Sequence, residues 1–233
     1  MYQLSISAAC TYVRRALDEL TSVEEIGMLV SPDAVDIHKL VEGAIVEAAV
    51  KVHELAPAIM IEGKKGEETT TIDGKAVIKD YKTSEKDGVM TITMEKETVR
   101  IASIQASDSE VVVCEFVPED SAEGRKQLNK YVRGVPDDPR VVLQKAWAGD
   151  HKPILKYYTL GEKKKDSGGQ EIAHTIDLYY VPYPKIDETI VEISPALEYA
   201  VLNEIVAMVL ESLNEHEKAN LYREKSINYM QGK

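Results

Sequence analysis

The chain of 233 residues is poor in cysteine and in large aromatic rings, with two Cys, one Trp and one Phe beside twelve Tyr. Two cysteines make no disulfide scaffold, and a chain longer than a typical domain of ~100–200 residues needs none to enclose a core. Cys10 falls in an apolar helical stripe and Cys114 in a Val-rich run. Both read as small core side chains in a reducing compartment. No apolar run approaches the ~18–20 residues that span a bilayer, and the opening MYQLSISAACTYVRR lacks the basic-then-apolar order of a secretory signal. A soluble protein, intracellular at birth, is expected. Positive charge is scarce as well: 28 basic against 40 acidic residues give −12. That disfavours a sequence-independent grip on nucleic-acid phosphates, which needs clustered Lys and Arg.

The charge is unevenly spread. Residues 1–60 and 186–233 each carry four basic and nine acidic residues, net −5 apiece, and the middle carries −2. The abundance of Tyr, which packs its ring while its hydroxyl stays wet, favours contact surfaces over a large aromatic core.

Apolar residues at steps of three and four, Ala9, Val13, Ala16, Leu17 and Leu20, predict a one-faced helix over 7–20. Ser31-Pro32-Asp33 is a start signal for a second helix: a hydroxyl cap, Pro at the first position and an acid at the positive end. Its stripe from Ile37 to Leu55 is joined by a second strip of Val46, Ala49 and Val50, so it needs two packing partners before Pro57 stops it. Alternation then replaces helical spacing. Strands are expected at 88–94, 99–105, 111–117, 152–160 and 172–181, the last two forming a hairpin around the Gly- and Lys-rich stretch 161–169. Residues 127–147, with Pro136 and Pro139, read as irregular connection. Ser194-Pro195 repeats the cap-plus-Pro device and opens a helix with two apolar faces. Asn214-x-x-Glu217 has the spacing of a capping box for a final, charged helix. The expected fold is α+β: a helical bundle from the N- and C-terminal helices, 1–60 and 187–233, with a central β-rich insertion, 61–186.

Catalytic signatures are sparse. No H-x-x-x-H or C-x-x-C occurs, and His38 with Glu42 one turn on is a helix-surface pair. Gly63-Lys64 and Gly74-Lys75 are followed by Lys65 and Ala76, not by the Ser or Thr of a phosphate loop. Asp137 and Asp138 with Glu162 loosely imitate a metal-dependent nuclease or hydrolase, which is the competing enzyme reading. Tyr157-Tyr158, Tyr179-Tyr180 and Tyr183 offer a second competitor, a carbohydrate-binding module that stacks sugars on tyrosine rings. Because neighbouring strand residues face opposite ways, one Tyr of each pair is expected inside. No catalytic residue, metal ligand or cofactor is assigned.

The order of these pieces resembles the head-to-tail adaptor or connector-ring proteins of tailed bacteriophages, which include tail tubular proteins. The resemblance runs through a long helix from Ser31 to Val52, a strand at Val99-Arg-Ile-Ala-Ser-Ile-Gln-Ala-Ser107 and the Tyr/Pro segment 179–184. It continues through the return helix opening at Ile193-Ser-Pro195 and ends with Ala219-Asn-Leu-Tyr222. The larger β insertion suits a ring protein of a crAss-like phage. The resemblance implies a non-enzymatic virion protein of the neck, made in the host cytoplasm and assembled as a ring, commonly of twelve copies. Its implied partners are the portal protein, other neck and tail rings and passing DNA that it does not bind specifically, with no membrane. An acidic, repeated wall would suit such a DNA channel. Tyr222, Ile227, Tyr229 and Met230 are the candidate contacts to portal or neighbour, the competing role being to cap the chain's own core. Deleting 215–233 is then expected to block co-assembly while leaving helicity largely intact.

Overall fold

The computed structural model describes residues 1–21, 36–72, 75–77, 79–107, 109–129, 131–135, 138–144, 151–158, 173–185 and 190–232. It divides into two compact units, Met1–Glu62 with Pro184–Lys233, and Gly63–Tyr183.

In the first unit the chain begins with strand β1 (Tyr2–Ser5) and turns directly into helix α1 (Ile6–Thr21). The Ser5 hydroxyl accepts the Ala8 N–H at 3.1 Å, satisfying one of the amides that a helix start leaves open. Ile6, Ala9, Cys10, Val13 and Ala16 are buried, the stripe that their spacing predicts. Helix α2 (Ile37–Leu55) is capped by Asp36, whose carboxylate accepts the Lys39 N–H; Ser31, Pro32 and Asp33 lie outside the described residues. Ile37, Val41, Ile45, Ala48, Ala49 and Val52 face the core.

The expected helical bundle is overturned. The chain is a mixed α+β fold, and even the unit built from its termini contains a sheet: β1 pairs antiparallel with β12 (Ile190–Ile193), Tyr2 opposite Ile193 and Ser5 opposite Ile190. Each strand is four residues long and its partner is some 190 positions away, so neither shows a period that could be read locally. After β12, Pro195–Leu197 form a 3-10 turn with Pro at its start. The Ser194 hydroxyl does not cap it but accepts the Glu62 N–H at 3.1 Å.

A helix apolar on nearly every side must be enclosed. Helix α4 (Glu198–Ser212) is buried from Ala200 to Ala207 and again at Val209 and Leu210, packed on α2 and on α5 (His216–Met230). The expected capping box at Asn214 is absent. Asn214 adopts φ 61° after the end of α4, its N–H reaching the Glu211 carbonyl, while the Glu215 N–H reaches that of Leu210. This is a left-handed helix stop in which Asn stands where Gly is commoner.

The second unit is β-rich. Strands β5 (Tyr81–Lys86), β6 (Val89–Met94), β10 (Ile154–Tyr157), β9 (Val141–Gln144) and β8 (Val117–Pro118) form one sheet in that spatial order, with β8 parallel to β9. Asp87 and Gly88, both at positive φ, make the tight turn between β5 and β6, as Asp-Gly does in two-residue hairpins. Strands β2 (Lys64–Lys65), β11 (Ile176–Pro182) and β7 (Thr98–Ala106) form a second sheet. Strands β3 (Thr70–Ile72) and β4 (Lys75–Val77) make a separate hairpin. Met90, Ile92, Ile104, Leu155, Tyr157, Leu178 and Tyr180 share one core between the two larger sheets.

Three further expectations are corrected here. The strands expected at 152–160 and 172–181 do not form a hairpin: β10 pairs with β6 and β9, and β11 pairs with β7 and β2. The run 111–117 is no continuous strand: it gives an isolated bridge, Val113 to Ile104, and reaches β8 only at Val117, and Cys114 is exposed rather than a core thiol. The stretch read as irregular begins just after helix α3 (Ala122–Lys126) and contains β9.

Candidate functional site

The predicted contact residues lie on α5, which divides them by helical spacing. Tyr222 and Met230, eight positions apart, are buried with Ala219 in the core of the first unit. Their role there is the competing one weighed from the sequence, capping the chain's own core. Ile227 and Tyr229 point outward, 44% and 40% exposed. Deleting 215–233 would therefore strip core residues as well as surface ones.

Tyr229 does not stand alone. Its ring lies 5.7 Å from that of Tyr199, itself exposed at the start of α4. Beside Tyr199, the carboxylate of Glu198 accepts the Tyr2 hydroxyl at 2.9 Å. That hydrogen bond and the negative charge behind it raise the Tyr2 pKa above its ordinary value. Three half-exposed tyrosines and a carboxylate, drawn from β1, α4 and α5, thus form one surface that the terminal residues alone did not predict. Rings with wet hydroxyls are well suited to protein contacts.

Behind this surface, polar groups inside the unit are satisfied. Tyr12 donates to Asn203 Oδ1 at 3.1 Å, and Asn203 donates to the Tyr199 carbonyl at 2.9 Å. Glu204 is buried and receives Lys51 Nζ at 2.5 Å and Arg223 Nε at 3.5 Å. Arg223 also grips Glu211 with both terminal nitrogens, which holds the Glu211 carboxyl below the usual range. Next to this network an open groove of about 520 Å³ is lined by Leu40, Ala44 and Met208 together with Lys51, Glu211 and Arg223. Arg223 pairs there with Glu211, and Lys51 with the buried Glu204, so the groove resembles a seam between helices more than a binding pocket.

His53 is buried in α2. Its Nδ1 lies 2.7 Å from the Ala49 carbonyl and its Nε2 accepts the Ser194 N–H at 3.0 Å. The neutral ring donating through Nδ1 satisfies both contacts, and burial lowers its pKa. Ser194 in turn holds Glu62, so three segments of the first unit meet at one imidazole.

Among the described residues neither competing site is assembled. Asp138 is exposed and paired with Arg140 at 2.9 Å, whereas Asp137 and Glu162 lie outside the described residues. His38 and Glu42 are an exposed pair at 4.0 Å. His174 lies 3.4 Å from Glu85. Among the described residues no group of three or more His, Cys, Asp or Glu is placed to hold a metal, and no helix is long and apolar enough to cross a membrane. Tyr180 is buried with Tyr179 outside, the expected division, but Tyr157 and Tyr158 are both buried and Tyr183 packs its ring 4.4 Å from His151. The tyrosines form no shared sugar platform. In the same unit the buried Asp80 is held by Lys96 at 2.6 Å and the Glu67 N–H at 2.9 Å; burial raises its pKa, but these partners outweigh it and keep the carboxyl low. That is a structural knot, saturated by its own neighbours.

No family model matches the chain, and neither does any curated protein sequence.

Proposed function

We propose that this chain is a non-enzymatic structural protein of a phage virion, a neck ring between portal and tail that extends the DNA channel and docks the tail. The observation that carries the reading is the single core made by both ends of the chain, with Tyr2, Tyr199 and Tyr229 together on its surface and Ile227 exposed elsewhere on α5. Such a platform is what a subunit needs if identical copies, commonly twelve in adaptors, are to meet face to face around an axis. The resemblance in the order of elements supports the same reading. Its partners are the portal protein and further neck or tail rings, and DNA passes without specific contact because the net charge of −12 repels phosphate. The protein then resides in the virion neck after synthesis in the host cytoplasm.

Negative-stain imaging of the protein mixed with its virus's portal tests this. A ring of added density beneath the portal is expected, lost in the double variant Ile227→Asp, Tyr229→Asp while its circular dichroism is unchanged. No added density rejects the reading. So does cleavage of DNA in Mg²⁺ or Mn²⁺ that Asp137→Ala abolishes, which would establish a nuclease.

A further inference from the structure

The second unit carries a surface that the contact residues of α5 do not explain. Helix α3 is followed by turns, and among the described residues 124–129 and 131–135 the side chains of Leu128, Tyr131, Val132 and Val135 are exposed to solvent. Tyr131 is 83% and Leu128 72% exposed. Isolated exposed apolar residues are ordinary, but four large ones within eight positions of one segment are characteristic of an interaction site. In sequence, residues 124–135 contain four Lys or Arg and no Asp or Glu, in a chain where acids outnumber bases 40 to 28.

The segment is mounted firmly. Ser121 caps α3 by accepting the Gly124 N–H at 2.9 Å, and the Gln127 side chain accepts the Gly134 N–H at 2.9 Å, tying the two ends of the turn together. Gly124 sits so close to the preceding chain that an added Cβ would lie 2.3 Å from the Pro118 carbonyl oxygen. Arg133 reaches the Asp87 carbonyl at 3.4 Å. Apolar and tyrosine side chains flanked by arginine, on a braced loop, have the make-up of the anchors that dominate protein interfaces.

We infer that this basic, apolar segment of one copy docks on the acidic tyrosine surface of the first unit of the next copy, around Glu198 and Tyr199. Charge complementarity selects this occupant. The first unit has 9 basic and 19 acidic residues, net −10, against 19 and 21, net −2, in the second. The acceptor offers a carboxylate between half-exposed tyrosines, matching arginine and tyrosine on the donor. Donor and acceptor are different surfaces, so repeated head to tail the contact is heterologous, the arrangement that closes a ring when its rotation divides a full turn. A nucleic-acid strand would answer the positive charge but leave Leu128, Val132 and Val135 without an apolar partner. A segment this short covers less than the ~800 Å² per partner of a stable pair, so the contact is weak singly and gains strength through ring closure.

The inference gives the proposed ring its subunit contact and rests on that reading, but it can be tested separately. The probe is a Tyr131→p-benzoyl-L-phenylalanine variant, made as an equal mixture of ¹⁴N- and ¹⁵N-labelled chains, irradiated alone and with the portal, and mapped by mass spectrometry. Mixed-isotope cross-links to the peptides bearing Tyr2, Tyr199 or Tyr229 are expected. Arg125→Glu should cut their yield about tenfold, and combining it with Glu198→Lys should restore it, because like charges at a contact repel and the swap re-pairs them. Absence of intermolecular cross-links under both conditions, cross-links to other segments, or cross-links to DNA when DNA is added would each overturn the inference. Cross-links as expected without portal density reject the neck ring and keep the contact; portal density without these cross-links does the reverse.

Discussion

Replacing His53 by Leu removes the imidazole at which α2, Ser194 and, through Ser194, Glu62 meet, while keeping an apolar side chain of similar size. The Ser194 N–H, in a residue with no exposed surface, then loses its acceptor at Nε2. A buried donor left unsatisfied costs about 1–3 kcal/mol, so urea unfolding of the His53→Leu variant at pH 8, followed by helical circular dichroism, should show a loss of that size. The pH dependence is the sharper part. Burial lowers the His53 pKa below its unfolded value near 6.5, so the unfolded chain binds the proton that the folded one refuses. The contribution is fully present above about pH 6.5 and is lost as pH falls toward the folded value. Protonation at Nε2 also turns an acceptor into a donor facing the Ser194 N–H. Between pH 7 and 5 the native protein should therefore lose stability more steeply than His53→Leu, by at most about 1.4 kcal/mol per pH unit for one proton. The other four histidines are common to both proteins and cancel in the comparison. Equal midpoints at pH 8, or parallel pH profiles, would refute the clasp.

Two further substitutions probe how the first unit is held. At Asn214, φ 61° penalises a Cβ-branched side chain, so Asn214→Val should lower the unfolding free energy by about 1–2 kcal/mol and Asn214→Gly should be neutral or slightly stabilising; equal midpoints would remove the left-handed stop. Glu204→Ala leaves Lys51 and Arg223 without their shared carboxylate, but both reach solvent, so a loss of about 2 kcal/mol is expected in place of the ~3–5 of a fully enclosed pair. Urea titrations of the variant and native chains measure it, and no change in midpoint would show that the pair contributes nothing.

Helices were the most legible feature, because burial repeats at a spacing that can be counted: Ala9, Val13 and Ala16 in α1, and the double stripe of α4, which anticipated its near-complete enclosure. Partners were not legible. Alternation at 152–157 and 176–182 marks strands but says nothing about which strand lies beside which, and adjacency in sequence suggested a hairpin that the two sheets do not contain. Polar side chains misled for a related reason. Ser194 and Asn214 are common at helix starts, but one is engaged by Glu62, distant in sequence, and the other ends a helix by its backbone. On α5 the spacing of Ala219, Tyr222, Ser226 and Met230 is that of a buried stripe, which favours the core-capping role for Tyr222 and Met230 that the sequence left level with the contact role. The apolar residues of 124–135 follow no period, so only the segment's freedom from acids marks it in the sequence.

The same stripe determines what truncation can reveal. Removing 215–233 withdraws Tyr222 and Met230 from the core, each worth about 1.5–3 kcal/mol by the usual value for a fully buried apolar side chain. It also withdraws Ala219 and the buried hydrogen bond from Ser226 Oγ to the Ala200 carbonyl at 2.9 Å, about 1 kcal/mol more. The total of about 4–7 kcal/mol compares with the ~5–15 kcal/mol by which a whole domain is stable. Leu202, Ile205, Val206 and Leu210 on α4 belong to the same buried cluster, and losing α5 opens that cluster to water. The truncated chain should therefore lose more helical signal than the fifteen residues of α5 contribute, through partial melting of α1, α2 and α4. A helical signal reduced only in proportion to α5 would show that the rest of the unit stands alone, and would return α5 to the role of a detachable docking arm.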